Sequence, residues 1–188
     1  GYYDLFSRFY DAFVRLHARR EEDDTRHFLV ETARREQKSA RAVLDICCGT
    51  GSVILAFAER VPEALLVGYD FSRGMLRKAR QKDVAARVIL VEGDASALPF
   101  LDAGFDVVTC SHALYELKGG SRDAALQEMK RVVRPDGLVL LMEHEVPSHP
   151  VVRFLFHMRL FVMGADDARE FLDTGLHRLR TIFPRVEA

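Results

Sequence analysis

The chain has 188 residues, of which 27 are Lys or Arg and 28 are Asp or Glu, so its formal net charge is -1. This length fits one domain with one substantial core, and the charge balance argues against a phosphate-coated partner such as nucleic acid. The three cysteines form no Cys-x-x-Cys pair, which argues against a disulfide framework or a structural zinc site. Free thiols in apolar stretches favour a reducing, cytoplasmic setting.

Two helices are predicted before the first strand. Apolar residues recur at helical spacing from Leu5 to Leu16, and charged residues occupy the other face. Because those charges interrupt the apolar run, it lacks the central region of a signal peptide. A second helix is expected to begin near Thr25 and to turn Phe28, Leu29 and Ala33 inward.

From Arg41 onward, short apolar runs alternate with helical segments. The runs are "AVLDIC", "ALLVGYD", "RVILVEGD", "FDVVTCS" and "GLVLLMEH", and helices are predicted over 52–60, 72–82 and 121–133. Near-continuous apolar strands separated by helices indicate a doubly wound α/β fold, with a parallel sheet covered on both faces. The ligand crevice of such a sheet lies at the carboxyl ends of its strands, where the strand order reverses.

Carboxylates recur where these predicted strands end. The end clusters are Asp45 to Gly51, Asp70, Asp94, Ser111 to Glu116, and Glu143 to Glu145. Because the carboxyl ends of parallel strands share one edge of the sheet, we expect these clusters to surround one site.

The first cluster belongs to "VLDICCGTGS", residues 43–52. A P-loop would need Lys after Gly51, and a dinucleotide fingerprint would need Gly in place of Ile54. A redox site would need spaced or exposed thiols, whereas two of the cysteines here are adjacent. The remaining interpretation is a turn that a ligand approaches closely, where Asp45 repels phosphate and attracts a cation or an ammonium group. Asp70 ends the next strand, where an acid accepts bonds from both hydroxyls of a ribose.

Five motifs in order resemble the class I S-adenosylmethionine-dependent methyltransferases. "VLDICCGTGS" resembles their first motif and "GYDFSRGML" their second, while "VEGDASALPF", "FDVVTCSHALYEL" and "LQEMKRVVRPDGLVLLMEH" are similar to the rest. The resemblance covers Arg41 to about Glu145 and is nearest to the small-molecule branch with ubiquinone/menaquinone and phospholipid methyltransferases. It implies a Rossmann-like fold with S-adenosylmethionine as cofactor and S-adenosylhomocysteine as product.

The resemblance also implies roles for residues at the first two strand ends. Gly49, Thr50 and Gly51 would pass along the methionine part of the cofactor, with Asp45 near its amino group. Asp70 would bind the ribose hydroxyls.

The adenine would lie among residues of the next strand ends. Phe71 or Met75 would pack on its ring, and Asp94 would face its amino group beside the Ala95 backbone. Ser111 would lie under the cofactor. Taken singly, either Asp94 or the acid that ends the second strand is also compatible with a turn or helix-capping acid.

Tyr10 and Tyr3 resemble part of an N-terminal lid that closes over the cofactor in many relatives, with core packing as the alternative. Methyl transfer is an in-line displacement, and a base matters only if the acceptor must lose a proton. The candidates are His112, Tyr115 and His144, the last with its neighbours Glu143 and Glu145, although a histidine at a strand end is also compatible with a structural role. No metal-binding set is evident.

The segment Val151 to Met163 is apolar almost all round, but shorter than the roughly 20 residues that span a bilayer. It is interpreted either as a buried helix over the sheet or as a lid over a lipophilic acceptor. Arg153, His157 and Arg159 would then serve a phosphate head group or a membrane surface, or simply reach solvent.

The chain is predicted to be one methyltransferase domain: an N-terminal helical lid (1–40), a cofactor-binding core (41–145), and acceptor-side helices with a tail (146–188). The family's fold adds two C-terminal strands, which the mostly helical pattern after Glu145 leaves incomplete. The tail from His177 has room for one strand, limited by Pro184.

The predicted function is methyl transfer to a small, lipophilic acceptor, such as a quinone-like molecule or a lipid, with possible peripheral membrane contact. The alternatives are a nicotinamide-dependent oxidoreductase and a non-catalytic cofactor-binding partner.

Overall fold

The apolar runs form five strands at the predicted places. A computed structural model describes residues 21–117, 120–143 and 168–187, and side chains within the terminal helices from 26 and from 175. The strands are β1 (Ala42–Ile46), β2 (Leu65–Asp70), β3 (Val88–Glu92), β4 (Phe105–Ser111) and β5 (Val133–Met142).

Helices connect the strands and cover both faces of the sheet. They are α1 (Glu21–Glu36), α2 (Ser52–Arg60), α3 (Arg73–Lys82), α4 (Gly120–Val132) and α5 (Ala168–Ile182), with a 3-10 turn at Leu114–Glu116. This arrangement confirms the doubly wound α/β fold.

All neighbouring strands run parallel in the order β3-β2-β1-β4-β5. The order therefore reverses between β1 and β4, where the carboxyl ends of the two central strands open a crevice. Asp45 of β1 is in register with Gly68 of β2 and Thr109 of β4, so it sits in the middle of the sheet.

Two apolar clusters, one on each face, hold the layers together. On one face, residues of α1 and α2 such as Val30 and Phe57 pack against Val43 and Val107. On the other, residues of α4 and α5, such as Met129, pack with Leu44, Val108 and Cys110. Burial of this apolar surface is the main term that stabilises such a domain.

The structure corrects two details of α1, which is the second of the two helices predicted before the first strand. It already includes Glu21 rather than beginning near Thr25, and Phe28 is 62% exposed instead of facing inward. Leu29 and Ala33 do face the sheet, together with Val30. Since each residue of a helix is rotated by about 100° from the last, a face centred on these three leaves Phe28 toward solvent.

The other corrections concern the C-terminal half. The sequence "RPDG" belongs to β5, which begins at Val133, and a shift in register between Phe105 and Val107 accommodates the four residues. The tail does not use the room that its sequence left for a strand, because it continues α5 up to Ile182 and residues 183–187 belong to no sheet. Among the described helices, none is long and apolar enough to cross a membrane.

Several predicted features lie outside the described residues. They are the part of the N-terminal lid before residue 21, with Tyr3 and Tyr10, the candidate base His144 with Glu145, and the apolar segment from Val151 to Met163. Their proposed roles stay predictions.

Candidate active site

Asp70 links the carboxyl ends of β1 and β2 through hydrogen bonds. Its Oδ2 accepts the Gly49 backbone N–H and its Oδ1 accepts the Ser72 N–H, both at 2.8 Å. The carboxyl group is only 6% exposed, and burial raises its pKa while the two hydrogen bonds oppose that rise. Asp70 therefore holds the glycine turn after β1 against the segment that starts α3.

The turn itself requires glycine at two positions. Gly49 and Gly51 have φ of +55° and +81°, in the left-handed region that side chains disfavour. A Cβ on Gly51 would also lie 3.0 Å from the Ala79 Cβ, whereas a Cβ on Gly49 would meet nothing within 4 Å. Gly49 therefore borders open space, as a backbone that a ligand approaches would.

Asp45 lies buried beneath this turn, 2% exposed. Thr109 Oγ1 donates to its Oδ1 at 2.7 Å, and the backbone N–H of Ile54 donates to the carboxyl group as well. Burial raises the pKa of Asp45 to about 7, and the nearby Asp70 adds to the rise. The carboxyl group thus caps the start of α2, in the position where a dinucleotide pyrophosphate would bind a helix N-terminus.

Thr50 uses its side chain within the protein. The residue is 3% exposed, and its Oγ1 accepts a hydrogen bond of 2.8 Å from Lys82 Nζ at the end of α3. Its contribution to a cofactor site would therefore come from its backbone.

Candidates for the adenine side differ in accessibility. Phe71 directly follows β2 and is 54% exposed, whereas Met75 is 7% exposed in the first turn of α3. Asp94 accepts hydrogen bonds from the backbone N–H and from the hydroxyl group of Ser96, both at 2.8 Å. These hydrogen bonds lower the pKa of Asp94, and Ala95 is buried beside it. The structure thus offers Phe71 as the accessible aromatic surface, while Asp94 combines an exposed carboxylate with a turn-capping role.

Strained backbone marks the ends of both central strands. Cys47 follows β1 with φ of +55°, and His112 follows β4 with φ of +54°. The His112 N–H donates to the Met142 carbonyl at 2.7 Å, which helps to hold this conformation. Such outliers cost about 1–3 kcal/mol each and cluster at functional sites. Ser111, the last residue of β4, is partly exposed at the same edge.

The segment after β4 is clamped by two ionisable side chains, the partly buried Glu143 and the buried Arg122. Glu143 Oε1 accepts the Leu114 N–H at 2.9 Å. Arg122, 3% exposed, donates to the carbonyls of Leu114 and Leu117 at 2.8 Å and to that of Tyr115 at 3.4 Å. Tyr115 itself is 1% exposed and packs in the core, which favours a structural role for its side chain.

Sequence reasoning missed this clamp. Burial raises the pKa of Glu143 to about 8, with hydrogen bonds to the backbone N–H groups of Leu114 and Ala113 opposing the rise. An arginine within a helix gives no signal that it is buried, and Glu143 was noticed only as a member of the last strand-end cluster and as a neighbour of His144. Within residues 21–117, 120–143 and 168–187, no group of three or more His, Cys, Asp or Glu side chains could hold a metal ion.

Residues 43–137, just over half of the chain, match the family described as "Methyltransferase domain". The chain belongs to this methyltransferase family. The match spans β1 to the start of β5 and so contains the glycine turn and the acids that end β1 and β2.

Within the methyltransferases, the chain is similar to enzymes that act in one named reaction class. The chain is 36% identical over 121 residues to a demethylmenaquinone methyltransferase of Lactobacillus johnsonii, covering 62% of this chain and 49% of the relative. It is 39% identical over 123 residues to one of Shouchella clausii, covering 63% and 52%. The chain thus spans about half the length of these relatives.

Solved structures agree with the fold. CalS10 of Micromonospora echinaspora, described as an S-adenosylmethionine-bound amino pentose methyltransferase, is 28% identical with a TM-score of 0.64, over 74% of this chain and 58% of that one. YcgJ of Bacillus subtilis is 30% identical with a TM-score of 0.59, over 73% and 58%. The resemblance to the small-molecule branch of the S-adenosylmethionine-dependent methyltransferases is confirmed.

Proposed function

We propose that this chain transfers a methyl group from S-adenosylmethionine to a small, quinone-like acceptor. The observation that carries the proposal is the buried Asp70 carboxylate at the crevice, which holds the left-handed Gly49 turn beside open space. The CalS10 structure supports the choice of cofactor, and the demethylmenaquinone methyltransferases support the class of acceptor.

The residues present fit this cofactor. Asp70 would accept bonds from the ribose hydroxyls, the exposed ring of Phe71 would pack on the adenine, and the backbone from Gly49 to Gly51 would follow the methionine part. Asp45 would contribute negative potential to the cofactor's amino group from beneath the turn. When bound, S-adenosylmethionine supplies an electrophilic methyl group on a sulfonium.

The protein's task is then mainly alignment and exclusion of water. A displacement that consumes positive charge gains most from reactants held in line in a dry site. The clamped segment after β4 would provide this rigidity, with Ser111 and His112 beside the reacting centre. Because Tyr115 packs in the core, His112 is the remaining candidate for a base among the described residues, if the acceptor must lose a proton.

The same edge argues against a nicotinamide cofactor. Ile54 stands, completely buried, where the dinucleotide fingerprint needs Gly, and the buried Asp45 carboxyl group at the same strand end would repel a phosphate. We further infer a cytoplasmic location from the three free thiols, and peripheral membrane contact from the lipophilic acceptor class.

Transfer of a labelled methyl group tests this function. The chain would be incubated with methyl-labelled S-adenosylmethionine and either demethylmenaquinone, in oxidised and reduced forms, or a phospholipid extract. Label in the naphthoquinone product supports the proposal. Label in the phospholipid alone would mean that the acceptor is a lipid and not a quinone-like molecule. Tight cofactor binding without transfer to any acceptor would favour a non-catalytic binding partner.

A further inference from the structure

Two cysteines distant in sequence meet at the crevice. Cys110 lies on β4 directly opposite Ile46 of β1, so Cys47, the next residue along the chain, is its diagonal neighbour across the two strands. Both pack against the same apolar cluster, toward which the left-handed backbone at Cys47 turns its side chain. Cys48, the other member of the adjacent pair, faces the opposite side, where a Cβ on Gly68 would lie 3.1 Å from its sulfur.

The two thiols differ in accessibility. Cys47 is partly exposed beside Gly49, whereas Cys110 is completely buried. The neighbouring Cys47 thiol, followed by burial, raises the pKa of the Cys110 thiol. An oxidant in solvent would therefore reach Cys47 first, and Cys110 would react only with its neighbour.

We propose that Cys47 and Cys110 form a reversible disulfide that weakens cofactor binding at the crevice. Cys47 takes one oxygen from hydrogen peroxide, giving a sulfenic acid and one water. The Cys110 sulfur then attacks the Cys47 sulfur, the S–O bond breaks, and a second water leaves as the S–S bond forms. Two thiols and one peroxide thus become one disulfide and two waters, and the two electrons lost by the thiols reduce the peroxide.

Closure would disturb the glycine turn. A disulfide brings its sulfur atoms to about 2 Å, closer than two thiols that are not bonded. Cys47 lies two residues before Gly49, whose N–H is held by Asp70. Pulling Cys47 toward β4 would therefore shift the turn relative to Asp70. A dithiol of this kind suits a reducing compartment, where disulfides are mostly transient redox sensors.

The test combines peptide mapping with a titration, and its second part rests on the proposed function. The full chain, reduced or treated with equimolar hydrogen peroxide, is digested without reduction and analysed by mass spectrometry. We expect a Cys47–Cys110 linkage in the wild type and in Cys48→Ser, which serves as the matched control, and none in Cys47→Ser. Linkage of Cys48 to either other cysteine, or only over-oxidised Cys47, would overturn the proposal.

S-adenosylhomocysteine is then titrated into the oxidised and reduced wild type, so this step depends on no variant. We expect the oxidised chain to bind about tenfold more weakly, or about 1.4 kcal/mol, with recovery after dithiothreitol. Equal affinities would refute the effect on binding. If the reduced chain does not bind at all, the proposed function fails and the regulatory effect with it, whereas the peptide map alone decides the disulfide.

Discussion

Asp70 accepts two backbone N–H groups, one on each side of the crevice, and is also the predicted ligand of the ribose. Asp70→Asn keeps the shape but loses the charge and one of the acceptors. We expect S-adenosylhomocysteine to bind at least about tenfold more weakly, since hydrogen bonds to charged groups contribute about 1.5–3 kcal/mol. Isothermal titration calorimetry measures the change.

Glu63→Gln is the matched control for this substitution. Glu63 is exposed just before β2, at the opposite edge of the sheet from Asp70. Because Glu63 lies far from the crevice, the same change from carboxylate to amide should leave the affinity for S-adenosylhomocysteine unaltered. If Asp70→Asn also bound the ligand like the wild type, Asp70 would not belong to the cofactor site.

Asp45 should make stability depend on pH. Burial raises its pKa from 3.8 to about 7, so between these values the folded chain keeps a proton that the unfolded chain has released. Stability from this group is therefore lost as pH rises through that window. For Asp45→Asn, which does not titrate, we expect stability relative to the wild type to improve by about 2–3 kcal/mol from about pH 5 to about pH 8.

Urea unfolding at several pH values measures this difference. Asp106→Asn is the control, because burial raises the pKa of Asp106 but hydrogen bonds from Arg41, Ala42 and Arg134 lower it further. Asp106 stays ionised across the window, so its removal should shift stability by a constant amount. A flat difference for Asp45→Asn would show that its pKa is not raised.

At the scale of elements, the 3-10 turn after β4 depends on the clamp of Arg122 and Glu143. Arg122→Met leaves up to three carbonyls without their buried donor and Glu143 without a nearby positive charge. We expect a loss of about 3–5 kcal/mol in the free energy of unfolding, since each buried carbonyl left without a donor costs about 1–3 kcal/mol. Denaturant unfolding measures the loss, and amide exchange at Leu114 and Leu117 locates it.

Arg77→Met provides the comparison for this prediction. Arg77 is exposed on α3, away from the clamp, and the same loss of charge there should change stability by less than about 0.5 kcal/mol. Similar values for the two variants would mean that Arg122 does not hold the turn.

The periodicity of apolar residues predicted most of the helices and strands. Strands β1 to β4 and helix α2 were predicted nearly to the residue, because apolar runs and helical spacing follow directly from which face is buried. Phe28 was misplaced because the spacing of apolar residues does not fix the rotation of a helix against its sheet. The local pattern of the tail left room for a strand, whereas packing of Leu179 and Ile182 against the core favours the helix.

For the whole molecule, parallel order alone predicted where the strand-end acids meet. The sequence could not show what each acid binds within the protein: Asp45 accepts a hydrogen bond from Thr109 of β4, Asp70 holds the turn after β1, and Asp94 accepts one from Ser96 in its own turn. Nor could it place Cys47 and Cys110 on neighbouring positions, because β4 is paired with β1 only in the folded sheet. Long-range pairing, rather than local propensity, makes this site.

The central claim is that this crevice binds S-adenosylmethionine and not a dinucleotide. Calorimetric titration of the reduced chain with S-adenosylhomocysteine and, separately, with NAD tests it most directly. We predict saturable binding of S-adenosylhomocysteine, abolished or strongly weakened in Asp70→Asn, and no measurable heat with NAD. Tight binding of NAD without binding of S-adenosylhomocysteine would contradict the account.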